Sequence, residues 1–383
     1  MKIVYIIETL ASTGGTERMV SEKANYLADT FGYDVSIISC TQNKHQPNAF
    51  HLSKKVKQIC LAIPYYSQYH YKYPMRLWIK YSINNKLKRD LTKCVQKINP
   101  DILIGIGHYK ANLVCNIECK AKRIIECHEA KLFTLSGMSL HQNLASKIFT
   151  RLYRHLYFKT IEKKADAIVT LTLGDKKMWN KAKHVDVIPN FSTMPAFNCS
   201  LCNTKRIIAV GRLSWEKGYD RLLSIWNILS NKYHDWNLDI YGEGELDNYL
   251  NTTISECNIK NIKIHNFTSE LSKEYEKSSI CVMTSYYEGF SLVLLEAMKS
   301  GVPCVSFDCP FGPSSIIVDN QCGFLIENGN INQFVDKLSI LIEKEEIRKR
   351  FAIAAVARSK DFSVDRVMML WKTLFDKIYR TSP

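Results

Sequence analysis

The sequence predicts an α/β protein built of two doubly wound parallel-sheet domains that face a central cleft. Three observations carry this. The chain has 383 residues, more than the roughly 250 at which a single hydrophobic core stops growing. Strand-like apolar runs alternate with helical periodicity, which implies parallel sheets covered on both faces. The alternation also runs through twice, with a polar stretch from Pro189-Asn190 to Asn203 between the two series.

The first series opens with a strand at Lys2–Ile7, a glycine-containing loop and a helix from about Thr16 to Asp29, followed by a strand at Val35–Ser39. A long helix over Met75–Ile98 places Leu87, Leu91, Cys94, Val95 and Ile98 on one face and Lys86, Arg89, Lys93 and Lys97 largely off it. Pro100 ends that helix, and Asp101–Ile106 reads as a buried strand. Short strands fit Arg123–Cys127, Ala167–Leu171 and Val185–Ile188, with a second basic amphipathic helix over roughly Leu140–Lys164.

The second series starts with a strand at Arg206–Val210 and a helix reaching about Tyr233. A strand at Leu238–Tyr241 and a helix from Glu245 follow, then strands at Ile262–Ile264, Ile280–Met283 and Pro303–Ser306. The last ~50 residues read as helices.

Composition narrows the class. Apolar residues make up 46% and charged residues 23%, ordinary for a globular protein. No stretch reaches the ~18 consecutive apolar residues of a membrane helix. The apolar start Ile3–Ile7 stops at Glu8, too short for the ~7–15-residue core of a secretory signal. Thirteen scattered cysteines without an export signal read as reduced thiols in a cytosol.

The net charge of +15 is lopsided. Residues 1–190 hold 30 Lys/Arg against 14 Asp/Glu, whereas the remainder holds 22 against 23. Such a field suits nucleic acid, anionic lipid headgroups or a phosphorylated substrate, or is simply a solvated basic face.

The most specific motif is Glu288-Gly289-Phe290-Ser291-Leu292-Val293-Leu294-Leu295-Glu296, directly after a predicted strand. Gly289 permits close backbone approach and Ser291 fits an N-cap, so free amides and the positive end of a helix dipole come to the strand's carboxyl edge. Eight residues of helix cover roughly 12 Å, which lets Glu288 and Glu296 address opposite ends of one nucleotide-sized ligand. A capped surface helix with two ordinary glutamates fits the spacing equally well. Gly211-Arg212 and Glu216-Lys217-Gly218 follow the first strand of the second series; Arg212 can fork onto phosphate and Lys217 adds a compact charge. Gly14 and Gly15 form a glycine turn between strand and helix, as do Gly242-Glu243-Gly244.

In this order the motifs resemble the family-4, glycogen-synthase-like glycosyltransferases, whose fold is GT-B, two Rossmann-like domains. The resemblance covers nearly the whole chain and rests on Gly14-Gly15, His128 in Cys127-His128-Glu129, Ile188-Pro189-Asn190, Gly211-Arg212 with Lys217, Gly242-Glu243-Gly244, and the E-x7-E pair Glu288 and Glu296. Asp308-Cys309-Pro310-Phe311-Gly312-Pro313-Ser314 is similar to the branch that builds bacterial surface polysaccharides and lipid-linked oligosaccharides.

The resemblance implies a division into a basic acceptor domain at residues 1–190, a nucleotide-sugar domain at 191–362 and a C-terminal helix at 363–383 packing on the N-terminal domain. It implies that Arg212 and Lys217 neutralise a donor diphosphate, and that backbone amides of Gly289, Phe290, Ser291 and Leu292 hold a phosphate. Glu296 would bind the ribose and Glu288 the transferred sugar, with His128 near that sugar from the other domain. Gly14 and Gly15 would line the binding site, Gly15 letting the N-terminal loop approach donor and acceptor. The implied activity is a retaining transfer of a hexose or N-acetylhexosamine from a UDP-sugar to a glycan or polyprenyl-diphosphate-linked acceptor.

No metal and no cofactor are expected. Asp-x-Asp occurs nowhere in the chain, and Arg212 and Lys217 would supply the positive charge. Cys199-Ser200-Leu201-Cys202 has metal spacing, but no second pair stands near it.

The two basic helices, with Trp78, Tyr81, Leu144, Ile148, Phe149 and Leu152 among lysines and arginines, fit peripheral contact with an anionic membrane. Core packing of the apolar faces fits each helix as well. The expected location is the cytoplasmic face of the cell membrane. A UDP-sugar epimerase of the same architecture is the alternative activity. A nucleic-acid-binding protein is disfavoured, because no aromatic-interleaved recognition motif is present.

Overall fold

The computed structural model describes residues 1–132, 155–194 and 198–380. The chain divides into two units, Met1–Ile188 with Val367–Pro383, and Pro189–Arg366.

The first unit carries seven strands: β1 (Lys2–Ile7), β2 (Asp34–Ser39), β3 (Lys57–Cys60), β4 (Ile102–Ile106), β5 (Lys122–Glu126), β6 (Ala167–Thr170) and β7 (Val185–Val187). They form one sheet in the order β3-β2-β1-β4-β5-β6-β7, with every neighbouring pair parallel. The chain therefore leaves β1 toward one edge and returns to its other side at β4, the crossover point where ligands of open α/β sheets bind. The helices are α1 (Gly15–Asp29), α2 (Met75–Ile98), α3 (His108–Cys115), α4 (155–164) and the single turn α5 (Leu173–Lys176).

Helix α2 buries Ile83, Leu87, Leu91 and Val95, one residue per turn, against the sheet. Cys94 and Ile98, expected on the same face, are only half-buried at its margin. Asn99 ends the helix in the left-handed conformation at φ 50°, which asparagine tolerates better than most residues.

The second unit carries β8 (Arg206–Val210), β9 (Asn237–Tyr241), β10 (Ile262–His265), β11 (Ile280–Met283), β12 (Cys304–Phe307) and β13 (Gly323–Ile326). This sheet is also all parallel, in the order β10-β9-β8-β11-β12-β13. Its crossover point lies between β8 and β11. Helices α6 (Tyr219–Ser230), α7 (Asp247–Glu256), α8 (Leu271–Glu276), α9 (Leu292–Lys299), α10 (Ile331–Glu343) and α11 (Glu345–Ser359) accompany it. Its core gathers Leu222, Trp226, Leu238, Ile240, Phe307, Phe334 and Phe351.

The last helix, α12 (Val364–Arg380), joins the first unit from Val367 onward. It buries Val367, Met368, Trp371, Leu374, Phe375 and Ile378, and the Trp371 ring lies 5.1 Å from the Lys23 ammonium on α1.

Two strands lie outside the elements read from the sequence. β3 is four residues long at a sheet edge and half-exposed, so it shows no apolar run. β13, Gly-Phe-Leu-Ile, is as short, and a run of that length does not separate strand from helix. The helix expected over Leu140–Lys164 lies outside the described residues up to 154; residues 155–164 are helical. None of the thirteen cysteines is in a disulfide. Among the described residues, no helix is long and apolar enough to cross a membrane.

Candidate active site

In the second unit the sequence motifs meet at the carboxyl ends of β8 and β11, on either side of the crossover. The loop after β8 runs through Gly211 to Gly218, whose φ of +65° is left-handed. A Cβ at Gly218 would stand 2.2 Å from the Thr284 carbonyl oxygen. The Thr284 hydroxyl in turn donates to the Gly218 carbonyl at 2.9 Å. Gly242 and Gly244, after β9, serve a similar purpose: a Cβ on either would meet the carbonyl oxygens of Gly211 at 1.9 Å or Leu213 at 2.3 Å. Only glycine lets these loops pack, and their packing fixes where Arg212 and Lys217 begin.

Lys217 Nζ donates to Glu288 Oε1 at 2.8 Å, and the Ser285 hydroxyl donates to the same oxygen at 2.7 Å. The lysine side chain is 26% exposed and the glutamate 9%. Burial alone would lower the Lys217 pKa; the Glu288 carboxylate outweighs it and holds the ammonium above its ordinary value. Gly312 makes room for this, since a Cβ there would lie 2.6 Å from the Glu288 Cβ. Arg212 is 71% exposed and reaches Glu216 Oε1 at 2.5 Å. The Ser214 hydroxyl donates to that same oxygen at 2.7 Å. The carboxyl of Glu216 is held below its usual range: its burial is outweighed by hydrogen bonds from Ser214 and its own backbone, and by Arg212.

Ser291 caps α9, its hydroxyl accepting the Leu294 amide at 3.4 Å. The first-turn amides of Leu292 and Val293 thus lie at the carboxyl edge of the sheet beside Glu288, the arrangement that favours an anion. Phe290 is buried edge-on against Phe362, centroids 5.7 Å apart. Glu296, one turn further in, is 4% exposed, so a capped surface helix with two solvated glutamates is not what the chain forms. Trp215 stacks on Tyr286, centroids 5.7 Å apart, and the Arg221 guanidinium lies 3.7 Å from the Tyr286 ring centre.

The structure thus brings Lys217, Glu288, Gly289, Phe290, Ser291 and Leu292 together and pairs Arg212 with Glu216. Sequence reasoning missed Ser285, Ser214 and Glu216 as partners; Glu216 stands four residues from Arg212, but Arg212 lies in a loop, where that spacing gives no helical pairing signal. The Cys199 and Cys202 pair is split, one exposed and the other buried with its sulfur 3.2 Å from the Gly301 carbonyl.

In the first unit Gly14 is the N-cap of α1 and Gly15 its first residue. A Cβ on Gly14 would meet the Glu17 carboxylate at 2.4 Å. His128 follows β5, with Nε2 2.9 Å from Glu126 Oε1.

The family model described as "Glycosyl transferases group 1" matches residues 201–358, within the second unit. An uncharacterised glycosyltransferase of Haemophilus influenzae is 31% identical over 377 residues, covering 97% of this chain and 99% of that protein. The chain belongs to the group 1 glycosyl transferases. This glycosyltransferase is also 26% identical over 387 residues, 99% of each chain, to a protein of Campylobacter jejuni. That relative is named GalNAc-alpha-(1->4)-GalNAc-alpha-(1->3)-diNAcBac-PP-undecaprenol alpha-1,4-N-acetyl-D-galactosaminyltransferase. A crystal structure of TarM from S. aureus, in complex with fondaparinux, alpha-GlcNAc-glycerol and UDP, has a TM-score of 0.76 at 17% identity, covering 98% of this chain and 99% of the other. The fold is GT-B.

Proposed function

We propose that this glycosyltransferase moves a hexose or N-acetylhexosamine from a UDP-sugar to a glycan in polysaccharide biosynthesis, retaining anomeric configuration and requiring no metal ion. The observation that carries the reading is the Lys217–Glu288 pair beside the Ser291-capped start of α9 at the β8/β11 crossover. A sugar diphosphate leaving as an anion needs fixed cations and amide dipoles. Lys217, Arg212 and the first amides of α9 are such a set. Arg212 would turn from Glu216 to the diphosphate, and Glu288 would bind the sugar hydroxyls. Glu296 would bind the ribose. The absence of Asp-x-Asp from the sequence supports a reaction without a divalent cation. The UDP named in the TarM complex supports the choice of donor.

The acceptor we propose is a polyprenyl-diphosphate-linked glycan at the cytoplasmic face of a membrane, as the name of the C. jejuni relative suggests. Two features of the first unit support it. Its charge is strongly basic, and the start of α2 leaves Trp78 76% and Tyr81 65% exposed. Lys72 and Lys80 are exposed beside them, and the Arg76 guanidinium lies 4.3 Å from the Tyr69 ring centre. Aromatic rings among cations are what an interfacial helix presents to anionic lipid. Further along α2, Ile83, Leu87, Leu91 and Val95 pack into the core, so one helix carries both faces weighed from its sequence. Leu144, Ile148, Phe149 and Leu152 lie outside the described residues.

The test is a panel of UDP-glucose, UDP-galactose, UDP-GlcNAc and UDP-GalNAc, scored by thermal stabilisation and slow hydrolysis in the presence of a chelator. One of them should stabilise the protein as RT ln(1 + [L]/Kd) and be hydrolysed. Release of an epimerised UDP-sugar, or hydrolysis that returns only with a divalent cation, would overturn the reading.

A further inference from the structure

The first unit contains a buried ionic chain that no part of the donor site explains. Glu126, the last residue of β5, is fully buried, and its Oε1 receives the ammonium of Lys23 from α1, itself only 2% exposed. The same oxygen stands 2.9 Å from His128 Nε2, a close polar contact that does not meet hydrogen-bond geometry. Glu126 Oε2 and the neighbouring Tyr5 hydroxyl have no partner among the described residues. The Trp371 ring of α12 lies 5.1 Å from the Lys23 ammonium.

Stability does not account for this chain. Taking a lysine and a glutamate out of water costs several kcal/mol per ion, and an apolar pair of the same volume commonly serves a core as well or better. A buried pair ending on an imidazole has a chemical use instead. A carboxylate only accepts hydrogen bonds, so it selects the ring form that carries its hydrogen on Nε2 and leaves the Nδ1 lone pair available. A lone carboxylate would also draw a second proton onto the ring. With its charge met by Lys23, Glu126 is held in place to orient the imidazole.

We propose that Lys23 and Glu126 are positioning residues for His128, fixing its Nε2–H tautomer so that Nδ1 is the ring atom that accepts from a sugar or acceptor hydroxyl. This rests on the reading that His128 takes part in transfer. The carboxyl of Glu126 stays ionised, held at about 2, because Lys23 and His128 outweigh the burial that opposes it. The other titratable groups facing the chain are Tyr5 on β1 and Cys127 beside Glu126, both pushed upward first by burial. Asp175 and Lys131 reach the chain through Cys127, and Glu129 follows His128 in sequence.

The experiment is a nitrogen-15 NMR titration of histidine-labelled full-length enzyme, with His128→Asn identifying the His128 signals. The wild type should show the Nε2–H tautomer. Lys23→Met, which leaves the carboxylate unpaired, should raise the His128 midpoint by about 1 pH unit, and Glu126→Gln, which leaves the ammonium unpaired, should lower it by about as much. If either single variant fails to fold, Lys23→Met/Glu126→Gln removes both charges. It should keep the midpoint near that of wild type while losing the tautomer preference, with UDP-sugar hydrolysis falling about 10–100-fold in kcat and little in KM. An Nδ1–H tautomer in the wild type, or a tautomer unchanged in the double variant, would overturn the inference. His128→Asn hydrolysing UDP-sugar at the wild-type rate would instead overturn the reading on which it rests.

Discussion

The Nζ of Lys217 and the Oε1 of Glu288 lie 2.8 Å apart, and Ser285 donates to that same oxygen. The cation expected at a phosphate and the carboxylate expected at a sugar are therefore one unit. Lys217→Met should strand a buried carboxylate, lowering unfolding free energy by about 1–3 kcal/mol. It should also lower kcat for UDP-sugar hydrolysis about 100-fold or more. Denaturant melts and hydrolysis rates measured on the same variant check both.

Glu288 and Glu296 should separate. Glu296→Ala is expected to weaken UDP binding, read by calorimetry, whereas Glu288→Ala mostly lowers the transfer rate. Equal loss of UDP affinity in both variants would contradict the assignment.

Gly218→Ala should destabilise the enzyme by about 2 kcal/mol or more, since its backbone is left-handed and a Cβ would press on the Thr284 carbonyl. An unchanged urea midpoint would show that this loop yields without cost.

Acid stability should depend on Glu274. Burial raises its pKa, but hydrogen bonds from Tyr241, Arg206 and Lys277 outweigh this and hold it at about 2. A carboxyl lowered on folding stabilises above its unfolded pKa, near 4.5, and that contribution disappears as pH falls toward 2. Glu274→Gln should cost on the order of 1–3 kcal/mol at neutral pH and flatten the decline over that interval. Thermal melts from pH 7 to pH 2 give the comparison.

The exposed start of α2 should matter only at a membrane. Trp78→Ser with Tyr81→Ser should weaken sedimentation with anionic vesicles while leaving hydrolysis in solution unchanged. The same retention on neutral and anionic vesicles would count against the basic surface.

The alternation of strand and helix was legible because buried parallel strands are nearly continuous apolar runs, as at Lys2–Ile7 and Ile280–Met283. β3 and β13 escaped because four residues at or near a sheet edge leave no period to read. At the candidate site, Glu288, Ser291 and Arg212 declared themselves by spacing along the chain. The bond from Lys217 to Glu288 spans 71 positions, and that from Lys23 to Glu126 spans 103. Contacts of that range are set by which strand ends a sheet brings side by side. Lys23 also sits in a helix whose sequence gives no hint that one lysine is buried.

The placement of Trp371 over Lys23 has a consequence for biosynthesis. During translation the opening portion of the polypeptide leaves the ribosome with one face of α1 uncovered, and the whole Pro189–Arg366 unit is made before the covering helix arrives. The amino-terminal module is therefore completed only after the Pro189–Arg366 unit has been made, and a nascent chain stalled before α12 lacks the ring that packs against the Lys23 ammonium.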